Sequence, residues 1–272
     1  MSVALLFAGC GWMHPFEFGA GKAFAEMMDL NDFSVTLGGC SSGAVVASGL
    51  AVGMDIDVLF ERTLEIYDAC KTLPFGMCGG VKRVLRSMSV GDEEWRRASG
   101  KLVVGLSAVG FRGCTPEYVS KFNDAEHAIE VLRASCHLPF VGGVLPYSIK
   151  GHRSRYYDGG ISMIIPELPE TDVFKITIDG RPIIDGMDIV PDLGFTVPVT
   201  WSYFPRNPEM LRLFYRLGYL RAVEFMSSGA TASKVRQVIK PPFLIGREER
   251  LEAARAEIST IVARLQPPRL QP

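Results

Sequence analysis

The segment Gly39-Cys40-Ser41-Ser42-Gly43 has the form G-x-S-x-G. Between a strand and a helix, that spacing forces a turn so tight that only small residues fit around the serine. The serine hydroxyl then stands exposed at the positive end of the following helix, where an acyl oxyanion is stabilised. The context suits this on both sides, with Phe33-Ser34-Val35-Thr36-Leu37 before it and Ala44-Val45-Val46-Ala47-Ser48-Gly49 after it. The chemistry would be nucleophilic acyl transfer through Ser41. A glycine-rich turn with a helix-capping serine is the structural alternative to catalysis, and Ser42 reads as the cap.

A serine hydroxyl needs a base. In an α/β-hydrolase the order is serine, acid, histidine, with several strands ahead of the serine. Here about two strands precede Ser41, and the last histidine, His152, has 120 residues beyond it. His127 reads as a solvated helical residue beside Glu126, and His137 as a half-buried histidine before Leu138-Pro139-Phe140. Asp158 is the better candidate. The two glycines after it let its carboxylate approach another backbone closely, and a dry pocket would raise its basicity. The segment Gly9-Cys10-Gly11-Trp12 closes the first strand. As a dinucleotide site it lacks the third glycine, which is His14, and a well-placed acid, since Asp29 and Asp32 flank a loop. As an oxyanion hole it would supply backbone amides, each worth about 2.7–4 kcal/mol of barrier.

Taken together, these three pieces resemble the patatin-like phospholipase family, and most of all its adipose triglyceride lipase branch. The resemblance runs from the first strand to about Asp192. It rests on Phe7-Ala8-Gly9-Cys10-Gly11, Gly39-Cys40-Ser41-Ser42-Gly43-Ala44 and Ala98-Ser99-Gly100-Lys101-Leu102, then on Arg133-Ala134-Ser135-Cys136-His137-Leu138-Pro139-Phe140 and Tyr157-Asp158-Gly159-Gly160-Ile161-Ser162. It implies a dyad of Ser41 as nucleophile and Asp158 as base, with oxyanion-holding amides around Gly9, Cys10, Gly11 and Trp12. It also implies hydrolysis of glycerolipid esters, triacylglycerol or phospholipid, with no cofactor and no metal. Acyl transfer to an alcohol by the same dyad is one alternative; a catalytically inactive lipid-binding protein is the other. The last glycine of the family's G-x-G-x-x-G is His14 here, followed by Pro15, which puts the path from loop to helix in question.

The elements that must position these residues follow from periodicity. Val3–Ala8 reads as a central parallel strand and Phe16–Met28 as a helix; Phe33–Leu37 is a second strand, followed after the turn by a small-residue helix. Asp55–Cys70 is amphipathic and helical. Further strands are expected at Leu102–Ala108 and Val173–Ile178, and Asp158 is expected at a strand end. Further helices are expected at Ala125–Arg133, Pro208–Met226 and Arg247–Leu265. The alternation predicts an α/β fold, a three-layer α/β/α sandwich with a mostly parallel central sheet. Residues 1–200 would form the catalytic core and 201–272 a helical segment packed on the same domain. The apolar, glycine-rich stretches Leu73–Gly80 and Phe140–Tyr147 suit the wall or rim of an acyl pocket, or ordinary core. Trp201–Met226 sets four arginines against two glutamates with aromatics interleaved. It reads either as a helix lying on a lipid surface or as a domain helix with a solvated basic face.

Lys and Arg total 29 against 30 Asp and Glu, so the global positive field that nucleic acid requires is missing. The expected partner is a lipid substrate, at a membrane or lipid-droplet surface. The six cysteines include no C-x-x-C pair, and no histidine stands at a zinc-ligand spacing from them, so a structural metal is not expected. Isolated cysteines suit a reducing compartment, and the expected location is the cytoplasm. The stretch from Met1 to Cys10 faintly resembles a lipoprotein signal but has no basic segment and too short an apolar run. Phe33–Met54 carries 22 residues without a charge, enough to span a bilayer, yet the glycines and serines in its middle favour strand, turn and helix.

Overall fold

The computed structural model describes residues 2–67, 82–86, 88, 90–168, 173–181, 186–195, 197–198, 200–204, 206–228, 231, 234–240 and 247–265. Its frame is a seven-stranded sheet. Strand β1 (Ser2–Phe7) runs parallel to β2 (Val35–Cys40) on one side and to β7 (Val173–Ile178) on the other. Strand β3 (Leu102–Gly110) continues the parallel set beyond β2. The remaining strands, β4 (Gly113–Val119), β5 (Tyr147–Ser148) and β6 (Arg155–Tyr157), join antiparallel. Because β1 is flanked and covered, Val3 to Phe7 have no exposed surface, which is why this strand reads as an unbroken apolar run rather than an alternation.

Val3, Leu5 and Phe7 enter the main core on one face of the sheet, against helices α1 (Pro15–Met27) and α2 (Ser42–Ala51). Ala4 and Leu6 meet Leu168, Ile165 and Val173 on the other face. Around α1 and α2 lie α3 (Ile56–Glu65), α4 (Asp92–Ala98) and α5 (Ala125–Ser135). A short α6 (Thr200–Tyr203) precedes the long α7 (Pro208–Ser227), and α8 (Arg247–Leu265) packs on α7. α7 crosses α1 in backbone contact: a Cβ on Gly218 would come within 1.8 Å of the Phe16 carbonyl oxygen.

One consequence of the topology sets the site. β4 pairs along one whole side of β3, from Val104 to Gly110. β2 and β6 must therefore share the other side, β2 at Leu102–Gly105 and β6 at Ser107–Ala108. β6 thus begins where β2 stops. The residue after β2 is Ser41 and the residue after β6 is Asp158, so two chain ends 117 positions apart face each other.

Most expected elements are present with shifted ends. β2 runs three residues further, up to the Ser41 turn, and α5 runs on to Ser135. The expected helix Asp55–Cys70 is seen as Ile56–Glu65, capped by Asp55, and residues 68–70 lie outside the described residues. β4 and α4 have no counterpart among the expected elements. Pro116 argues against a strand, and β4 tolerates it as a largely exposed edge strand. Of the two readings of Trp201–Met226, the contacts of α7 favour the domain helix. Phe214 is buried, and three of the arginines hold partners in the same molecule: Arg212 on Glu61, Arg216 on Glu257, and Arg221 on Glu224. Tyr215 and Tyr219 donate to Asp57 and Glu26. α7 thus packs between α1 and α8.

Candidate active site

β2 delivers Ser41 into an elbow with φ +53° and ψ −128°, a region costly for any residue with a side chain, by about 1–3 kcal/mol. Its surroundings hold it there. Gly43 lies against β1, where a Cβ would come within 2.4 Å of the Phe7 and Ala8 carbonyl oxygens. The Ser41 amide donates to Ser135 Oγ at 2.9 Å, and that hydroxyl in turn donates to the Gly105 carbonyl at 2.8 Å. The turn is thus tied to both β3 and the end of α5.

Ser41 Oγ donates to Asp158 Oδ2 at 2.6 Å. The other carboxylate oxygen, Oδ1, accepts from the Gly160 amide at 2.8 Å. The backbone of Asp158 is fixed at both ends, its amide donating to the His137 carbonyl at 2.9 Å and its carbonyl accepting from Ser107 Oγ at 2.7 Å. Close packing explains the glycine that follows, since a Cβ on Gly159 would meet the Gly105 carbonyl oxygen at 2.4 Å and Cys40 Cβ at 2.7 Å. Asp158 is only 2% exposed. Burial raises its carboxyl to about 6, held back from rising further by the Ser41 and Gly160 hydrogen bonds and by the charge of Arg181. At neutral pH it is mostly ionised and more basic than a solvated aspartate, as a general base requires.

The loop at the end of β1 forms a 3-10 turn over Gly11–Met13 beside this pair. Among the described residues, nothing accepts the Gly11 and Trp12 amides. The expectation for Cys10 changes, because its amide donates to Ser42 Oγ at 3.0 Å. That bond also corrects the reading of Ser42 as a cap: no side chain caps α2, and the Ser42 hydroxyl serves the loop. His14 has φ −58°, open to any residue, so the conformation there does not demand glycine, and Pro15 takes the first position of α1. His14 Nδ1 donates to the Gly11 carbonyl at 2.6 Å, and burial lowers the ring to about 4, so it is neutral. The other histidines are engaged elsewhere. His127 and His152 bond each other through Nε2 atoms 3.1 Å apart, and His137 Nε2 donates to the Leu145 carbonyl at 2.9 Å.

Ser41, Asp158 and the Gly9–Trp12 loop open on a cavity of about 310 Å³. Its apolar wall comes from Val45, Ile66, Val84, Leu138, Val141 and Ile161. Of the two stretches expected at an acyl pocket, Leu73–Gly80 lies outside the described residues, whereas Val141 and Gly142 line the cavity. Phe140, Val144 and Leu145 beside them are 71%, 68% and 73% exposed.

Three contributors lie outside the expected site: Ser135, Ser107 and Arg181. Ser135 belongs to the Arg133–Phe140 motif, but its role depends on where α5 meets β3, which spacing does not reveal. Glu17, Cys10 and Asp179 bring one sulfur and two carboxylates within 4.8 Å of one another. They are the described group best disposed to hold a cation, but both Asp179 oxygens are already taken by Arg181, which a metal would have to displace.

No family profile matches the chain. Sequence comparison does find curated relatives. A mouse protein named 1-acylglycerol-3-phosphate O-acyltransferase Pnpla3 is 27% identical over 82% of this chain and 58% of its own length. A rat protein named patatin-like phospholipase domain-containing protein 2 is 24% identical over 91% of this chain and 56% of its own. The curated relatives of the chain are patatin-like phospholipase domain proteins. The chain spans little more than half the length of these two. Among solved structures, VipD from Legionella pneumophila shares the fold, with a TM-score of 0.53 at 13% identity over 96% of this chain and 75% of that one.

Proposed function

We propose that the protein is a serine acyl hydrolase of glycerolipid esters, working through a Ser41–Asp158 dyad. The observation that carries this reading is the 2.6 Å hydrogen bond from a strained elbow serine to a buried carboxylate, at the floor of a largely apolar cavity. As Ser41 Oγ attacks the ester carbonyl, its proton passes to Asp158 Oδ2. Negative charge on the carbonyl oxygen meets the Gly11 and Trp12 amides and the positive end of α2. The intermediate collapses, the C–O bond to the alcohol breaks, and Asp158 returns the proton to the departing alkoxide. Water then gives a proton to Asp158 as it attacks the acyl-serine. The fatty acid leaves and Ser41 regains its hydrogen. Each step balances without a cofactor.

The relatives support a lipid substrate, and the apolar wall suits an acyl chain. A fluorophosphonate probe tests the core of the reading: it should label the wild type and not Ser41→Ala, and failure to label the wild type would sink it. Hydrolysis of triacylglycerol and phospholipid panels would then rank substrates. A second reading, acyl transfer to a lipid alcohol in place of water, is favoured by the name of the mouse relative. Product analysis with a labelled acyl donor and a competing alcohol separates the two. Among the described residues no helix is long and apolar enough to cross a membrane. Contact with a lipid aggregate would fall to the exposed rim at Phe140, Val144 and Leu145.

A further inference from the structure

Arg181 lies just beyond β7, where the chain passes against the Gly9–Trp12 loop. Its neighbour Gly180 is so close that a Cβ there would come within 2.5 Å of the Met13 carbonyl oxygen and 2.9 Å of Cys10 Sγ. Asp179, fully buried, grips the guanidinium: Nε donates to Oδ1 at 3.0 Å and to Oδ2 at 3.2 Å, Nη2 donates to Oδ2 at 2.8 Å, and the Arg181 amide donates to Oδ1 at 2.8 Å. This fork fixes the guanidinium plane. Nη1 has no partner among the described residues, the side chain keeps 23% of its surface, and it lines the same cavity as Ser41 and Asp158. Its charge reaches the reacting groups, since it is among the influences that lower Asp158. Glu17, another acid nearby, is driven toward its neutral form by burial and by Asp179, so among these acids it is Asp179 that holds the guanidinium by direct hydrogen bonds.

An arginine that served only to neutralise Asp179 would have no need to face the cavity. We infer that Arg181, set in place by Asp179, is the anion-recognition residue of the acyl site and takes the phosphate of a glycerophospholipid substrate. This assignment rests on the dyad reading above and narrows its substrate class. A planar cation with two edges suits such a role, because one edge is held by Asp179 while the remaining N–H donors can meet phosphate oxygens. A neutral glycerolipid would leave those donors without a charged acceptor.

The test compares two ligands with the same acyl chain, a monoacylglycerol and its phosphate monoester. The wild type should favour the phosphate ester in kcat/KM, and Arg181→Gln should lower that ratio by about tenfold or more, the loss expected of a charge-assisted contact. Because Arg181→Gln leaves Asp179 buried and unpaired, the double variant Asp179→Asn, Arg181→Gln is measured beside it, and the same loss of ratio is expected. Binding to Ser41→Ala provides a readout that needs no turnover: the phosphate ester should bind more tightly than the monoacylglycerol, and adding Arg181→Gln should erase the difference. A wild-type ratio near one, or a ratio unchanged in both variants, overturns the inference. Equal binding of inorganic phosphate and the phosphate ester assigns a free-anion site and overturns the lipid headgroup. Binding selectivity that depends on Arg181 without any labelling of Ser41 by fluorophosphonate would uphold this subsite while sinking the hydrolase reading.

Discussion

A base at about 6 gives the dyad a definite pH signature. Protonated Asp158 cannot accept the Ser41 proton, so kcat/KM on a soluble ester should be level above that value and fall by about tenfold per pH unit well below it. Asp158→Asn should lose turnover at every pH while keeping its fold by circular dichroism. Substantial residual activity would point to another base; His14 lines the cavity, but its Nδ1 is committed to the Gly11 carbonyl. Ser135→Ala removes the acceptor of the Ser41 amide and leaves that half-buried amide without it. A loss of about 1–3 kcal/mol in stability, read by denaturant unfolding, should accompany slower fluorophosphonate labelling. The two reacting groups are legible in the sequence because local chemistry marks them: glycines must crowd an elbow serine, and glycines must follow an aspartate that enters a packed turn. Ser135 and Arg181 carry no local mark. A serine at a helix end and an arginine after a strand are ordinary residues, and only long-range register turns them into part of a site.

At the level of elements, the sequence discloses which strands exist better than how they meet. A fully apolar run names β1 because a parallel strand covered on both faces has no polar positions to blur the signal, whereas β2 carries Thr36 and β7 carries Lys175 and Thr177 within mostly apolar runs. β6 is only three residues, too short for a period, yet it places Asp158 at the broken end of β2. The helical layer depends on one contact of similar weight. Gly218 of α7 sits on the carbonyl of Phe16, two residues past His14 at the entry to α1. Gly218→Ala should push the helices apart and cost about 1–3 kcal/mol or more, the range of an overpacked core. Thermal unfolding measures this. Labelling of Ser41 at low temperature shows whether the shift reaches the oxyanion loop, and an unchanged melting temperature would mean that α7 yields without strain.

Across the whole molecule, net charge is close to zero and the three arginines of α7 are engaged by neighbours, so nonspecific attraction would not drive the proposed meeting with lipid. The exposed rim would serve that proposed contact better. Phe140 is held at φ +65°, its amide donating to the Gly143 carbonyl at 2.9 Å. His137 Nε2 grips the Leu145 carbonyl, and the Tyr157 hydroxyl donates to the Val144 carbonyl at 2.7 Å. These bonds fix the backbone and turn three apolar side chains outward at the edge of the cavity that Val141 and Leu138 line. Water offers no stabilisation for that arrangement, whereas a lipid surface does, since burying each such side chain is worth up to about 1.5–3 kcal/mol. Phe140→Ser with Leu145→Ser should therefore reduce kcat/KM on emulsified or vesicular substrate by about tenfold or more, with sedimentation on vesicles weakened in parallel. Turnover of a short, soluble ester should stay within about twofold, because neither side chain lines the cavity. An equal loss on both substrates would assign the rim to shaping the pocket instead, and the route to lipid would then have to run through another face.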